Sequence, residues 1–190
     1  MSREMKLLVP PTSLYTERLV LRAAVRVDAD DVFTNYTGDP FASHYLQRPA
    51  HRDFSQTEDV LAMWGLENWS SGSRFAWSIR RKIQEGAIGL FLLDMSETSS
   101  EIHFGIARRF WGSGLVTEAG QAVMGWIAST QQIEQVSTVC DCEHTASVRV
   151  LEKIGFQRIR HLPRHLFLPS MDMHRDCWLY TWVRSKYERT

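Results

Sequence analysis

The stretch Arg108-Arg109-Phe110-Trp111-Gly112-Ser113-Gly114-Leu115-Val116-Thr117-Glu118-Ala119 decides how this chain is read. Before it, residues 101–107 alternate, with Ile102, Phe104 and Ile106 on one face and Glu101, His103 and Gly105 on the other. That is the period of a strand. After it, Val116, Ala119, Val123 and Ile127 recur at helical spacing over 115–129. A strand therefore passes through a two-glycine loop straight into a helix. Such a loop leaves several backbone N–H groups unpaired and pointing one way, and the helix dipole adds partial positive charge there. The result is a seat for a phosphate or diphosphate. Glycine lets the anion approach the backbone, where a Cβ would hold it off. The pattern G-x-x-x-x-G-K-S/T is absent, and a dinucleotide fingerprint fails because Thr117 stands where its third glycine belongs.

Outward from this stretch the chain alternates strands and helices. Leu19, Leu21 and Ala23 at period two predict a strand within 17–26, and Asp28 to Tyr36 predicts a short helix stopped by Thr37-Gly38-Asp39-Pro40. Ser55-Gln56-Thr57-Glu58 fits a capping box, so a helix is expected after it, with Val60, Met63, Trp64 and Glu67 on successive turns and an end near Gly72. Phe75, Trp77 and Ile79 alternate, Glu85-Gly86 supplies a turn, and 87–94 is a nearly continuous apolar run, as in a strand buried on both faces. Met95 to Ser100 reads as a polar turn. Residues 134–140 are strand-like, and Val148, Leu151 and Ile154 mark a helix over 145–154 that Gly155 ends. A strand at 156–160, a loop rich in His and Pro, and a last strand near 174–184 close the chain. Three consecutive strands in the middle exclude a regular doubly wound fold and predict a mixed α/β sandwich around one sheet.

Composition narrows the function. The chain has 190 residues, 44% of them hydrophobic, enough for one domain with a sizeable core. Lys+Arg 22 against Asp+Glu 22 leaves no net charge, so no nucleic-acid or membrane partner is expected from bulk electrostatics. No apolar run reaches a membrane span, and the apolar part of Met1 to Pro10 is too short for a signal-peptide core, which predicts a cytoplasmic protein. Three cysteines do not make a disulfide scaffold. Neither Cys140-x-Cys142 nor His161, His165 and His174 has a completing ligand pair, so no metal is expected.

Arg109-x-x-Gly112-x-Gly114 resembles the R/Q-x-x-G-x-G/A signature of the GNAT acyltransferases, which binds the diphosphate of acetyl-CoA. Residues 143–156, Glu-His-Thr-Ala-Ser-Val-Arg-Val-Leu-Glu-Lys-Ile-Gly-Phe, look like the N-x-x-S-x-x-x-L-E-K-x-G-F block of the same superfamily. Glu118-Ala119, Phe110-Trp111 and the opening Thr16-Glu17-Arg18-Leu19-Val20-Leu21-Arg22 are similar to the RimJ and RimL branch, the ribosomal-protein N-terminal acetyltransferases. The resemblance covers roughly 16–184. It implies an N-terminal extension over 1–15 and a single GNAT domain over 16–190. It departs at His144, where the family has asparagine; a histidine there is open to titration near neutral pH.

The resemblance implies a mostly antiparallel central sheet with helices on both faces, whose two central parallel strands splay apart to admit the pantetheine. Acetyl-CoA would then contact Phe104, Gly105 and Ile106 on the strand. It would contact Arg109, Phe110, Trp111, Gly112, Ser113, Gly114 and Leu115 at the loop and helix start, and His144 and Ser147 in the second block. The implied reaction is direct attack of a primary amine on the thioester, driven mainly by positioning, with a backbone N–H near Ile106 for the developing oxyanion. Glu101 is the candidate base, directly or through water, and reads equally as a solvated strand-end carboxylate. Ser147 is the candidate proton donor to the thiolate, or a helix-start cap; Tyr180 is an alternative acid, or half-buried core. Glu118 reads as a capping or packing residue. The acceptor is a protein N-terminal amine or a small-molecule amine, and the protein a monomer or homodimer. The alternative function is a non-catalytic acyl-CoA-binding or sensing module on the same fold.

Overall fold

The computed structural model describes residues 8–70, 72–84, 86–95 and 99–184. Among them lie strands β1 (Ser13–Tyr15), β2 (Leu19–Ala23), β3 (Arg74–Arg81), β4 (Ala87–Met95), β5 (Ser100–Ile106), β6 (Gln135–Asp141), β7 (Gln157–Leu168) and β8 (Met173–Val183). The α-helices are α1 (Ala29–Val32), α2 (Phe54–Trp64), α3 (Leu115–Thr130) and α4 (Thr145–Lys153). The strands form one sheet in the order β1-β2-β3-β4-β5-β6-β8-β7. Every neighbouring pair is antiparallel except β5 and β6, which run parallel and meet only at Glu101 and Ser137.

Side-chain alternation explains the two layers of helix. Phe75, Trp77 and Ile79 of β3 face a core shared with Ala119, Val123 and Ile127 of α3 and Leu151 of α4. Ala76 points the other way, into a smaller core with Val32 of α1 and Leu61 of α2. β4 carries a bulge: Ile79 pairs with Gly89 and Arg80 with Ala87, so Ile88 is left over. The extra residue shifts the alternation, and Ile88 and Phe91 both reach the larger core. Gly89 has no room for a Cβ, because the backbone of Gly105 and Ile106 lies against it.

Several expectations are refined. Helix α2 is capped by Asp53, whose side chain accepts from Ser55 N at 3.0 Å, rather than by a Ser55–Glu58 box, and it ends at Gly65 rather than Gly72. Its buried face carries Thr57 and Leu61, while Met63 is exposed. The loop expected after residue 160 is the outer half of β7. Pro163 interrupts the ladder, the register shifts between Leu162 and Leu166, and Asp176 Oδ1 accepts from Arg164 N at 2.9 Å to hold the bulge. β1 lies in the stretch expected as an N-terminal extension, so the sheet begins at Ser13. Residues 1–7 of that extension, Glu85 of the expected turn and 96–98 of the Met95–Ser100 turn lie outside the described residues. No helix among the described residues is long and apolar enough to cross a membrane.

Candidate active site

The glycine loop is built as its sequence requires. After β5 a single 3-10 turn, Arg108–Phe110, leads to Trp111, and then Gly112 and Gly114 take φ of +74° and +78°. Side chains other than glycine pay strain in that left-handed region. The first bond of α3 runs from Glu118 N to Gly114 O, so the amides of Leu115, Val116 and Thr117 point out of the helix end, and all three residues line a cleft of about 630 Å³. A Cβ on Gly112 would meet nothing within 4 Å, so the positive φ, not crowding, is what favours glycine there, and the loop is open on that side.

A latch holds this loop to the turn before β2. Arg18 Nε lies 2.6 Å from Glu118 Oε2, and Arg18 Nη1 donates to Ser113 O at 3.0 Å. Glu118 Oε1 also accepts from Arg18 N and from Thr16 Oγ1. Burial pushes the Glu118 carboxyl up, but these hydrogen bonds outweigh it and hold the group below the usual carboxylate range. Glu118 thus packs and anchors, as its position suggests. Arg18 is the residue that sequence reasoning left without a role: its Nη2 sits 3.6 Å from where a Gly114 Cβ would be, a fixed positive charge beside the loop.

The splay between β5 and β6 forms the floor of the cleft. Ala107 N donates to Ile88 O at 2.7 Å, so the β4-facing residues of β5 are the odd-numbered ones, Gly105 and His103. Phe104 and Ile106 therefore turn their amides toward the gap. The same parity is visible at Ile102, whose carbonyl accepts from Thr138 Oγ1 of β6 at 3.0 Å, and at Ile106, whose carbonyl accepts from Trp111 Nε1 at 3.0 Å. Phe104, Gly105 and Ile106 all line the cleft.

Helix α4 starts at the other side of the gap. His144 precedes it and lines the cleft, its ring stacked on Tyr45 with centroids 4.3 Å apart. Burial, with the nearby His44 adding to it against an opposing pull from Asp141, pushes the His144 pKa down to about 4. The expected titration near neutral pH is thereby corrected: the imidazole is neutral there. Ser147 lines the cleft one turn along and hydrogen-bonds the Cys140 thiol, which burial pushes up to about 11. Tyr36 completes the wall, lying against the Cβ-less face of Gly105.

Of the expected cofactor contacts, Phe104, Gly105, Ile106, Phe110, Trp111, Gly112, Gly114, Leu115, His144 and Ser147 converge on the cleft. Arg109 and Ser113 lie beside it: the Arg109 guanidinium sits 4.8 Å from the Phe110 ring, and Ser113 Oγ donates to Phe110 O. The structure does not bring Glu101 and Tyr180 to the cleft lining. Glu101 is the second residue of β5, four residues and roughly 13 Å of strand from Gly105, with His103 Nε2 3.8 Å away. Tyr180 is fully buried between sheet and helix, its hydroxyl accepting from Arg158 Nε at 3.2 Å. Sequence reasoning gave no role to Tyr36, the last residue of its expected helix and here in a π-helical turn (Phe33–Thr37), or to Tyr45, in the irregular stretch that follows. Among the described residues, no group of three or more His, Cys, Asp or Glu is placed to hold a metal ion.

Residues 18–157 match the sequence profile of the acetyltransferase (GNAT) domain. An uncharacterised N-acetyltransferase, p20, of Bacillus licheniformis is 28% identical over 77% of this chain and 83% of its own. Among solved structures, the ribosomal-protein-S5-alanine acetyltransferase of Vibrio fischeri superposes with a TM-score of 0.80 at 14% identity, covering 93% of this chain and 99% of its own. The microcin C7 self-immunity acetyltransferase MccE, solved with acetyl-CoA and AMP, gives 0.79 at 15% identity over 92% and 98%.

Proposed function

The chain belongs to the GNAT acetyltransferase family, and from that premise we propose that it moves an acetyl group from acetyl-CoA to a primary amine by direct attack in a ternary complex. One observation carries the reading: the left-handed Gly112-x-Gly114 loop and the free first-turn amides of α3 open onto the same cleft as the unpaired amides of Phe104 and Ile106. The residues suit the co-substrate, because the loop is open at Gly112, which lines the same cleft as the helix start.

Bound in this cleft, acetyl-CoA supplies the activated thioester. The amides of α3 and the Arg18 guanidinium hold its diphosphate. Phe104 and Ile106 offer the backbone pairing that β6 withholds. Ile106 N–H faces the charge that develops as the amine nitrogen bonds to the acyl carbon. Ser147 Oγ gives its proton to the sulfur as the carbon–sulfur bond breaks and takes the surplus proton of the amine in return. An α-amine, with a pKa near ~8, needs little help to be neutral at physiological pH. Thr16, Arg18 and Glu118, which stand among the residues that resemble the RimJ and RimL branch, meet in one latch, which supports that branch; the acceptor is a protein N-terminal or small-molecule amine. The three free thiols suit a reducing cytoplasm.

Calorimetry with acetyl-CoA on Gly112→Val and Gly114→Val tests the seat, and thiol release over a panel of peptides and amines tests transfer. Normal binding by both variants would remove the reading. The position of Glu101 and Tyr180 away from the cleft favours a second reading, a non-catalytic acyl-CoA-binding or sensing module. Acetyl-CoA binding without thiol release to any amine decides for it.

A further inference from the structure

Part of the cleft wall is built from aromatic rings and offers no free negative charge. Tyr36, Phe41, Tyr45 and Phe104 line it. Among the described residues the lining contains one carboxylate, Glu143, which is exposed at the rim with its Oε2 2.6 Å from Arg175 Nη2, so no carboxylate is buried in the cleft wall. Two guanidiniums cover ring faces: Arg108 Cζ is 4.1 Å from the Phe41 centroid, and Arg48 Cζ is 5.8 Å from that of Tyr36.

We propose that the acceptor is a primary amine carried on an apolar or aromatic group and lacking a second positive charge, so that polyamines are rejected. This rests on the transferase reading above. A second ammonium entering the cleft sheds water and finds no buried carboxylate to receive it, Glu143 standing exposed at the rim and already facing Arg175. It also cannot fall back on the ring faces that Arg108 and Arg48 already cover, where an ammonium would otherwise bind. A neutral ring gains on both counts: it buries apolar surface and packs against Tyr45 and Tyr36, the latter on the face of the sheet opposite the Phe104 ring. The reacting amine benefits from the same scarcity of charge. With no free carboxylate to hold it as an ammonium, burial favours its neutral form. That removes the demand for a base in the cleft and fits the remote position of Glu101.

The test is steady-state kinetics with acetyl-CoA and two probes, phenethylamine and spermidine, at one pH. The kcat/KM for phenethylamine is expected to exceed that for spermidine by at least ~10-fold. Arg48→Glu and Arg108→Glu, made separately, each place a carboxylate behind a ring and should narrow that ratio several-fold, with the Kd for acetyl-CoA held. Melting curves on both variants show whether either fails to fold, and the other then carries the comparison. Spermidine turned over as well as phenethylamine, or better, overturns this inference and leaves the transferase reading standing. Acetyl-CoA binding with no thiol release to either probe or to a wider amine panel overturns both.

Discussion

The imidazole of His144 lies flat on the ring of Tyr45, the two planes 11° from parallel. His44 meets the same tyrosine edge-on, with centroids 4.9 Å apart. This stack ties segment 41–46 to the start of α4. His144→Ala should raise the KM for the amine and lower the melting temperature, since a stacked pair contributes about 0.5–1.5 kcal/mol beyond burial. His144→Asn should leave acetyl-CoA affinity intact while losing the stability of the stack. Equal melting temperatures for all three proteins would show that the stack contributes nothing.

His144 and His51 both have their pKa pushed down to about 4 by burial; for His51 the Arg48 charge adds to this, and its Nδ1 pairs with Thr57 Oγ1 at 2.8 Å. Their unfolded values lie near ~6.5. Between these limits the unfolded chain binds more protons than the folded one, so folding stability is whole above ~6.5 and falls as pH drops toward 4. Melting temperatures taken across that interval should decline, and the decline should be shallower in a His51→Asn, His144→Asn double variant. An unchanged slope would place the acid sensitivity elsewhere.

Arg18→Ala removes one side of the latch on the glycine loop. Hydrogen bonds to charged groups are worth about 1.5–3 kcal/mol, and Arg18 is half-exposed, so the lower end applies. The KM for acetyl-CoA should rise roughly 5-fold to 10-fold with kcat changed less. Glu118→Gln keeps the shape and should show a smaller effect in the same direction. A fall in kcat alone, with affinity intact, would contradict the role of the latch.

Gly105→Ala drives a methyl group into the Tyr36 ring. Overpacking of this kind costs about 1–3 kcal/mol. Stability should fall by that much in denaturant titrations, and the double variant with Tyr36→Leu should recover most of it while losing acceptor selectivity. Additive losses in the double variant would mean that the two residues do not meet.

The thiols should be inert at neutral pH. Burial pushes Cys140 and Cys177 up to about 11, and the thiolate is the reactive species. Iodoacetamide should modify Cys142, the least buried of the three, first and leave thiol release intact. Rapid inactivation would implicate Cys140 beside Ser147.

What was legible in the sequence followed strong local patterns. Gly112, Gly114 and the apolar stripe of α3 marked the glycine loop and the helix that follows it, because positive φ and helical spacing leave direct marks on residue choice. Ile102, Phe104 and Ile106 announced β5 by alternation. The outer half of β7 was hidden, since Pro163 and a solvent-exposed run of Arg and His carry turn signals while cross-strand pairing with β8 makes it a strand. At α2 two caps competed, and Asp53 prevailed over Ser55 two positions away. The contacts of Arg18 with Glu118 and of Tyr45 with His144 join residues about a hundred positions apart, so no window along the chain displays them. Glu101 sits on the expected strand at an end far from the chemistry, a distance that alternation cannot report.

The two ends of the cleft hang from different parts of the scaffold. One is fastened to the turn before β2 by a charged clasp, the other to the start of α4 by a pair of flat rings. On the transferase proposal, sequence drift in segment 41–46 would reshape what is accepted while the glycine loop keeps its own anchorage, a separation of duties that would let one framework diversify among amines.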